Sequence, residues 1–137
     1  MPRFSQASFT QLSTCHHDLQ ALFFEVIKTY DCTIICGYRD KEAQEKAFEA
    51  GTTTLHYPAS KHNFKPSMAV DVTPYPINLH DEHLHLWFGG YVLGIAKKLK
   101  DAGKMTLGVR WGGAWDGLGK LNRRGMLNDL VHFELIE

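Results

Sequence analysis

The sequence predicts an α+β domain in which helices pack on a small, mainly antiparallel sheet. Three observations carry this. Stretches with apolar residues at helical spacing are interspersed with short runs at strand spacing, in an order that suits such a sheet. The chain shows no internal repeat, low-complexity tract or linker. Its 137 residues suit one core, so residues 1–137 are expected to form one domain.

Residues 16–30, HHDLQALFFEVIKTY, place Leu19, Leu22, Phe23, Val26 and Ile27 on one helical face, and Asp18 suits the positive end of the helix dipole. CTIICGYR, from Cys32, reads as a buried strand ended by Gly37. Asp40 can cap a second helix over 41–50, which Gly51 stops. Residues 52–66 read as a polar loop containing Pro58 and Pro66. The run Met68-Ala69-Val70-Asp71-Val72 has the period of a strand and is closed by Pro74 and Pro76. A longer helix over 81–102 carries Leu84, Phe88, Tyr91, Val92, Ile95 and Leu99 on its apolar stripe. LGVRWGG reads as a strand with a glycine turn, residues 114–127 as an irregular Gly-rich loop, and LVHFELI as a terminal strand.

Composition excludes several functions. Fifteen basic side chains balance fifteen acidic ones, so no net charge draws the protein to nucleic acid. Three cysteines, an odd number, argue against a disulfide framework and for a reducing compartment. Cys32 and Cys36 fit a core strand, and Cys15 alone cannot complete a four-thiolate zinc site with them. MPRFSQASFTQL lacks the apolar run of a signal peptide, and no segment reads as a membrane span. Synthesis in a cytosol, as a monomer without membrane insertion, is expected.

Asp71 poses the sharpest question. A carboxylate between two valines is costly to bury unless a cation offsets its desolvation. His62 lies shortly upstream. His132 lies on the terminal strand, where it shares a face with Glu134 while Phe133 and Leu135 point the other way. Two histidines and a carboxylate on or beside short strands supply three protein ligands of zinc and leave a fourth position for water. HDEHLH, residues 80–85, looks more like a metal cluster, but His83 and His85 are two apart on a helix start and face different directions. His16 and His17 read as surface residues, His56 as part of a solvated loop and Trp111 as core. Trp115, beyond the glycines, is placed to line a cleft.

SKH, AVDVTPY, WGGAW and the final DLVHFEL, with an earlier GYR and a following Gln44, resemble the zinc peptidases that cleave peptidoglycan stem peptides. That family includes D-alanyl-D-alanine carboxypeptidases, D-Ala-D-Ala dipeptidases and phage L-alanyl-D-glutamate endopeptidases. The likeness runs through most of the chain from about residue 35 and is nearest to small single-domain phage endolysins. It implies a Hedgehog/DD-peptidase-like fold, a Zn2+ cofactor held by His62, Asp71 and His132, and Asp129 as the catalytic acidic residue. Arg39 falls at the arginine that binds substrate or the transition state, Gln44 of the same motif is expected to contact substrate with Trp115, and Ser60 matches a serine near the substrate. Glu134 is expected to orient a ligand imidazole.

Two departures stand out. Eight residues separate His62 from Asp71, more than is usual, with Ser67 at a habitual glycine, and a bulge before the strand is expected to absorb them. Ala114 replaces an Asp before Trp115. The activity expected is hydrolysis of the L-Ala-D-Glu bond by an endolysin made in the host cytoplasm and acting after the membrane is permeabilised. The alternatives are a D-Ala-D-Ala carboxypeptidase or dipeptidase, and a non-catalytic wall-binding module stapled by zinc.

Overall fold

The computed structural model describes residues 2–117 and 119–137. Four strands, β1 (Cys32–Cys36), β2 (Ala69–Pro74), β3 (Gly108–Gly112) and β4 (Asp129–Ile136), form one sheet in the order β1-β2-β4-β3. All three pairings are antiparallel. Four α-helices accompany it: α1 (Gln6–Leu12), α2 (His17–Val26), α3 (Lys41–Glu49) and α4 (Glu82–Asp101), with a 3-10 turn at Lys61–Asn63. The chain is α+β, as its pattern predicts.

Strand alternation divides the sheet into two working faces. Val70 and Val72 of β2 and Phe133 and Leu135 of β4 point to one side and are wholly buried. There they meet Leu19, Leu22, Phe23 and Val26 of α2 and Phe88 and Val92 of α4, all equally inaccessible. Burying each such side chain contributes about 1.5–3 kcal/mol, so this layer carries the fold. Gly89 lets α4 close on the core, because a Cβ there would lie 2.1 Å from the Trp111 indole. Trp111 is core, as expected, and stacks on Phe133. The opposite face of the same strands carries Asp71, His132, Glu134 and Arg110.

Several boundaries differ from expectation for identifiable reasons. Helix α2 is shorter than 16–30: His16 caps it, accepting from the Asp18 amide through Nδ1, and residues beyond Val26 continue as turns. The sequence reading has no counterpart of α1, which buries Leu12 in the core but meets β1 through polar side chains. Its Ser8 Oγ accepts from the Ile34 amide and Gln11 Oε1 from the Gly37 amide, while Thr14 Oγ1, just beyond, accepts from the Tyr38 amide. These bonds cover the outer edge of β1, a role that leaves no apolar stripe to read. Asp129 opens β4, opposite Gly112, and does not lie in the preceding loop. The extra residues before β2 form an exposed loop over Phe64 and Lys65, tied back by the Ser67 amide to the Thr14 carbonyl, in place of a bulge.

Candidate metal centre and catalytic cleft

Three separate segments converge on the polar face of the sheet. Asp71 and His132 are direct partners across β2 and β4, so the ladder itself sets their side chains side by side. His62 arrives from the 3-10 turn. Ser60 caps that turn, accepting from the His62 amide at 3.2 Å, and Asn63 Oδ1 accepts in return from the Ser60 amide at 3.0 Å. The Arg39 amide donates to the His62 carbonyl at 2.8 Å and fixes the turn to the chain leaving β1.

Asp71 Oδ1 lies 3.2 Å from His62 Nε2 and 3.3 Å from His132 Nδ1. One ligand atom from each residue falls within 4.8 Å of the other two. The remaining ring nitrogens are already committed. His62 Nδ1 donates to the Gly37 carbonyl at 2.8 Å, and His132 Nε2 donates to Glu134 Oε1 at 2.8 Å. With those protons placed outside, His62 Nε2 and His132 Nδ1 both face Asp71, and loss of their own protons would present two lone pairs beside its carboxylate. Two imidazole nitrogens and a carboxylate oxygen, each oriented from behind, match the donor chemistry of a zinc site that keeps an open position.

The electrostatics express the same demand for a cation. Burial opposes charge on both imidazoles, yet their hydrogen bonds to Asp71 raise His62 to about 10 and His132 to about 9. Burial alone would raise Asp71, but hydrogen bonds from His132 and His62 hold it well below the usual carboxylate range. Glu134 behaves alike: burial is outweighed by His132 and Arg110, and its pKa falls to about 2.

The cleft around this cluster measures about 790 Å³. Asp129 lines it, with Oδ2 4.0 Å from His132 Nδ1. Burial and the charge of Asp71 raise the Asp129 pKa. Arg39 lies on the other side, with Nη2 3.7 Å from Asp71 Oδ2 and Nη1 donating to Gln44 Oε1 at 3.0 Å. A bulge between Ile34 and Cys36 in β1 re-aims the chain that delivers it. Trp115 forms part of the wall, its ring 5.8 Å from that of His132.

Of the residues expected at the substrate, Gln44 changes character and Ser60 stays on the cleft wall. Gln44 is fully buried, so it lies beneath the cleft instead of facing it. Its Oε1 accepts from Arg39 and Asn63, and its Nε2 donates to the Leu55 carbonyl, which makes it the brace of Arg39. Ser60 lines the cleft, but its hydroxyl is engaged in the cap of the 3-10 turn.

Three residues of the site escape the sequence reading. Arg110 grips Glu134 Oε2 through Nη2 at 2.6 Å, and Lys61 lies 3.5 Å from the same oxygen. Strand alternation puts Arg110 on the polar face opposite Glu134, a pairing readable only once β3 and β4 are known neighbours. Cys36, expected in the core, is half-buried on the cleft wall because of the bulge. The histidines of 80–85 do not assemble: His85 is buried against Thr73 and the Asp81 carbonyl, while His83 is exposed.

The sequence profile described as phage L-alanyl-D-glutamate peptidase matches residues 1–136. The chain belongs to that family. No curated protein matches the sequence. Among solved structures, the chain is similar to the crystal structure of Serratia marcescens L-Ala D-Glu endopeptidase ChiX, with a TM-score of 0.68 and 20% identity. The match covers 98% of this chain and 91% of that one and establishes a shared fold. The family is one of peptidases acting on the L-Ala-D-Glu bond, so this chain is a peptidoglycan hydrolase. That family is one of peptidases, not of wall-binding modules, and its bond is L-Ala-D-Glu, not D-Ala-D-Ala. No helix among the described residues is long and apolar enough to cross a membrane.

Proposed function

We propose that this peptidase is a zinc enzyme whose metal is held by His62 Nε2, Asp71 Oδ1 and His132 Nδ1. The observation that carries the reading is the pair of outward hydrogen bonds, to Gly37 and Glu134, that aim the other nitrogen of each imidazole at one carboxylate, where a metal ion would replace the two shared protons. When bound, zinc supplies Lewis-acid chemistry, bringing the pKa of a water to about 7 and polarising a carbonyl.

The chain's own residues move the protons and balance the charge. Asp129 accepts a proton from the attacking water, whose oxygen bonds to the L-Ala carbonyl carbon. The same carboxyl then delivers that proton to the D-Glu nitrogen as the C–N bond breaks. Its raised pKa suits a group that must hold the proton between the two events. Arg39, braced by Gln44, presents a fixed cation beside Asp71 to the negative charge that develops on the attacked carbonyl. Glu134, held by Arg110 and Lys61, keeps the His132 ring in one orientation. Trp115 and Ser60 shape the cleft.

Every one of these groups comes from one chain, so a monomer suffices. We infer that the enzyme is made in the host cytoplasm and reaches the wall once the membrane is permeabilised, a reading supported by membership of a phage family. Mass spectrometry of fragments released from purified peptidoglycan tests the bond: new N-terminal Glu supports this reading, and free D-Ala without it refutes it.

A further inference from the structure

We propose that a second depression beside the catalytic cleft is a subsite for the acidic, C-terminal part of the stem peptide, recognised by Lys100. The inference rests on the L-Ala-D-Glu peptidase reading and adds where the rest of the substrate lies. The depression, about 410 Å³, is lined by α4 and β3. Arg110 and Trp115 line both it and the cleft that holds His62, Asp71 and His132, so a peptide can run from one to the other along a shared wall.

The charges of this depression do not cancel. Lys97 is paired with Asp101 at 3.0 Å, and Asp116 is paired with Arg123 at 3.2 Å. Arg110 is held by Glu134. Lys100 is exposed at the rim and has no acidic partner among the described residues. The floor beneath is apolar, with Ala96 and Trp111 both buried. A cation over an apolar floor suits a short peptide with small side chains and free carboxylates.

The two sides of the scissile bond differ in that respect. The L-Ala side leads to the sugar chain, which offers no carboxylate at the end of a peptide. The D-Glu side carries the remaining carboxyl groups of the stem, ending in a C-terminal carboxylate. Charge complementarity therefore directs the D-Glu side toward Lys100. The L-Ala side is left with the part of the cleft that the depression does not share, where Thr53 and Leu55 are lining residues.

The test compares kcat/KM for a stem peptide with free carboxyls and for the same peptide amidated at every carboxyl beyond D-Glu. The wild-type enzyme should prefer the acid form, and added salt should shrink the preference. Lys100→Glu should reduce the preference about tenfold, mainly through KM, and Lys100→Ala should do so less. Lys98→Glu, an equal charge change on the same helix outside the depression, should keep the wild-type preference. An unchanged preference in Lys100→Glu would overturn the subsite. Failure of the wild-type enzyme to cut either peptide between L-Ala and D-Glu would overturn the peptidase reading and the subsite with it.

Discussion

Among the described residues, two places bring two imidazoles and a carboxylate within reach of one another. One is His62, Asp71 and His132 in the cleft; the other is His16, His17 and Asp18 at the start of α2. In the second, adjacency in sequence creates the proximity, and a helix cap and a distant loop occupy ligand atoms of His16 and Asp18. His16 Nδ1 already accepts from the Asp18 amide, and Asp18 Oδ2 accepts from the Thr106 and Leu107 amides. His17 is exposed. In the cleft, three distant segments meet, and the fold spends its hydrogen bonds on the far side of each ring. Proximity of ligand types is therefore a weak signal, while ring nitrogens aimed at one carboxylate by oriented partners are a strong one.

The largest expected effect separates these two places directly. His62→Ala, Asp71→Ala or His132→Ala should reduce bound zinc from about one per chain to background and abolish cleavage. His16→Ala and His17→Ala should retain both. Zinc lost on changing His17 and kept on changing His62 would reverse the comparison.

Next in size is Asp129, which borders the metal cluster without belonging to it. Asp129→Asn should keep zinc and lower turnover about 10²–10⁴-fold, the usual range for a lost proton-transfer group. Arg39→Ala should also keep zinc, so the pH profile distinguishes them: the first moves the acidic limb and the second lowers its height. Near-normal turnover in Asp129→Asn would assign the proton to another carboxylate.

A smaller effect probes the support behind His132. Glu134→Gln should weaken zinc affinity about 10–100-fold, read by competition with a chelator, because the ring loses its fixed orientation. No comparable support stands behind His17, and that contrast is the one this variant sharpens.

The smallest effect is on stability. In chelated protein the folded pKa values of about 10 for His62 and about 9 for His132 lie above the ordinary 6.5. A raised pKa contributes stability that is complete below pH 6.5 and disappears as pH rises through the folded values. The melting temperature of chelated protein should therefore fall between pH 6.5 and 10, and His62→Ala should flatten that fall. Glu134, at about 2 against an ordinary 4.5, acts in the opposite sense: its contribution is present above pH 4.5 and is lost as pH falls toward 2.

His62 and His132 become legible through the SKH and DLVHFEL motifs, while strand alternation marks Asp71 as an anomalous carboxylate on a core strand. Helix α4 and the strand faces are legible for the same reason: their apolar periodicity reports burial directly. Helix α1 is not, since Ser8 and Gln11 dock through side-chain hydrogen bonds to a strand edge that only the fold creates. Gln44 shows the reverse failure. Its motif places it near substrate, yet a glutamine can satisfy an arginine, an asparagine and a carbonyl at once, and here it does so in full burial. Arg110 depends on which strands are neighbours and Lys61 on where its 3-10 turn docks, information that no local pattern carries.

The central claim is that one metal ion on these three residues makes the L-Ala-D-Glu bond cleavable. Titrating zinc into chelated protein, with bound metal and newly exposed N-terminal Glu measured in the same samples, tests it most directly. Cleavage should rise in proportion to bound zinc and level off at about one ion per chain. Full cleavage by metal-free protein, or a plateau that His62→Ala reaches equally well, would contradict it.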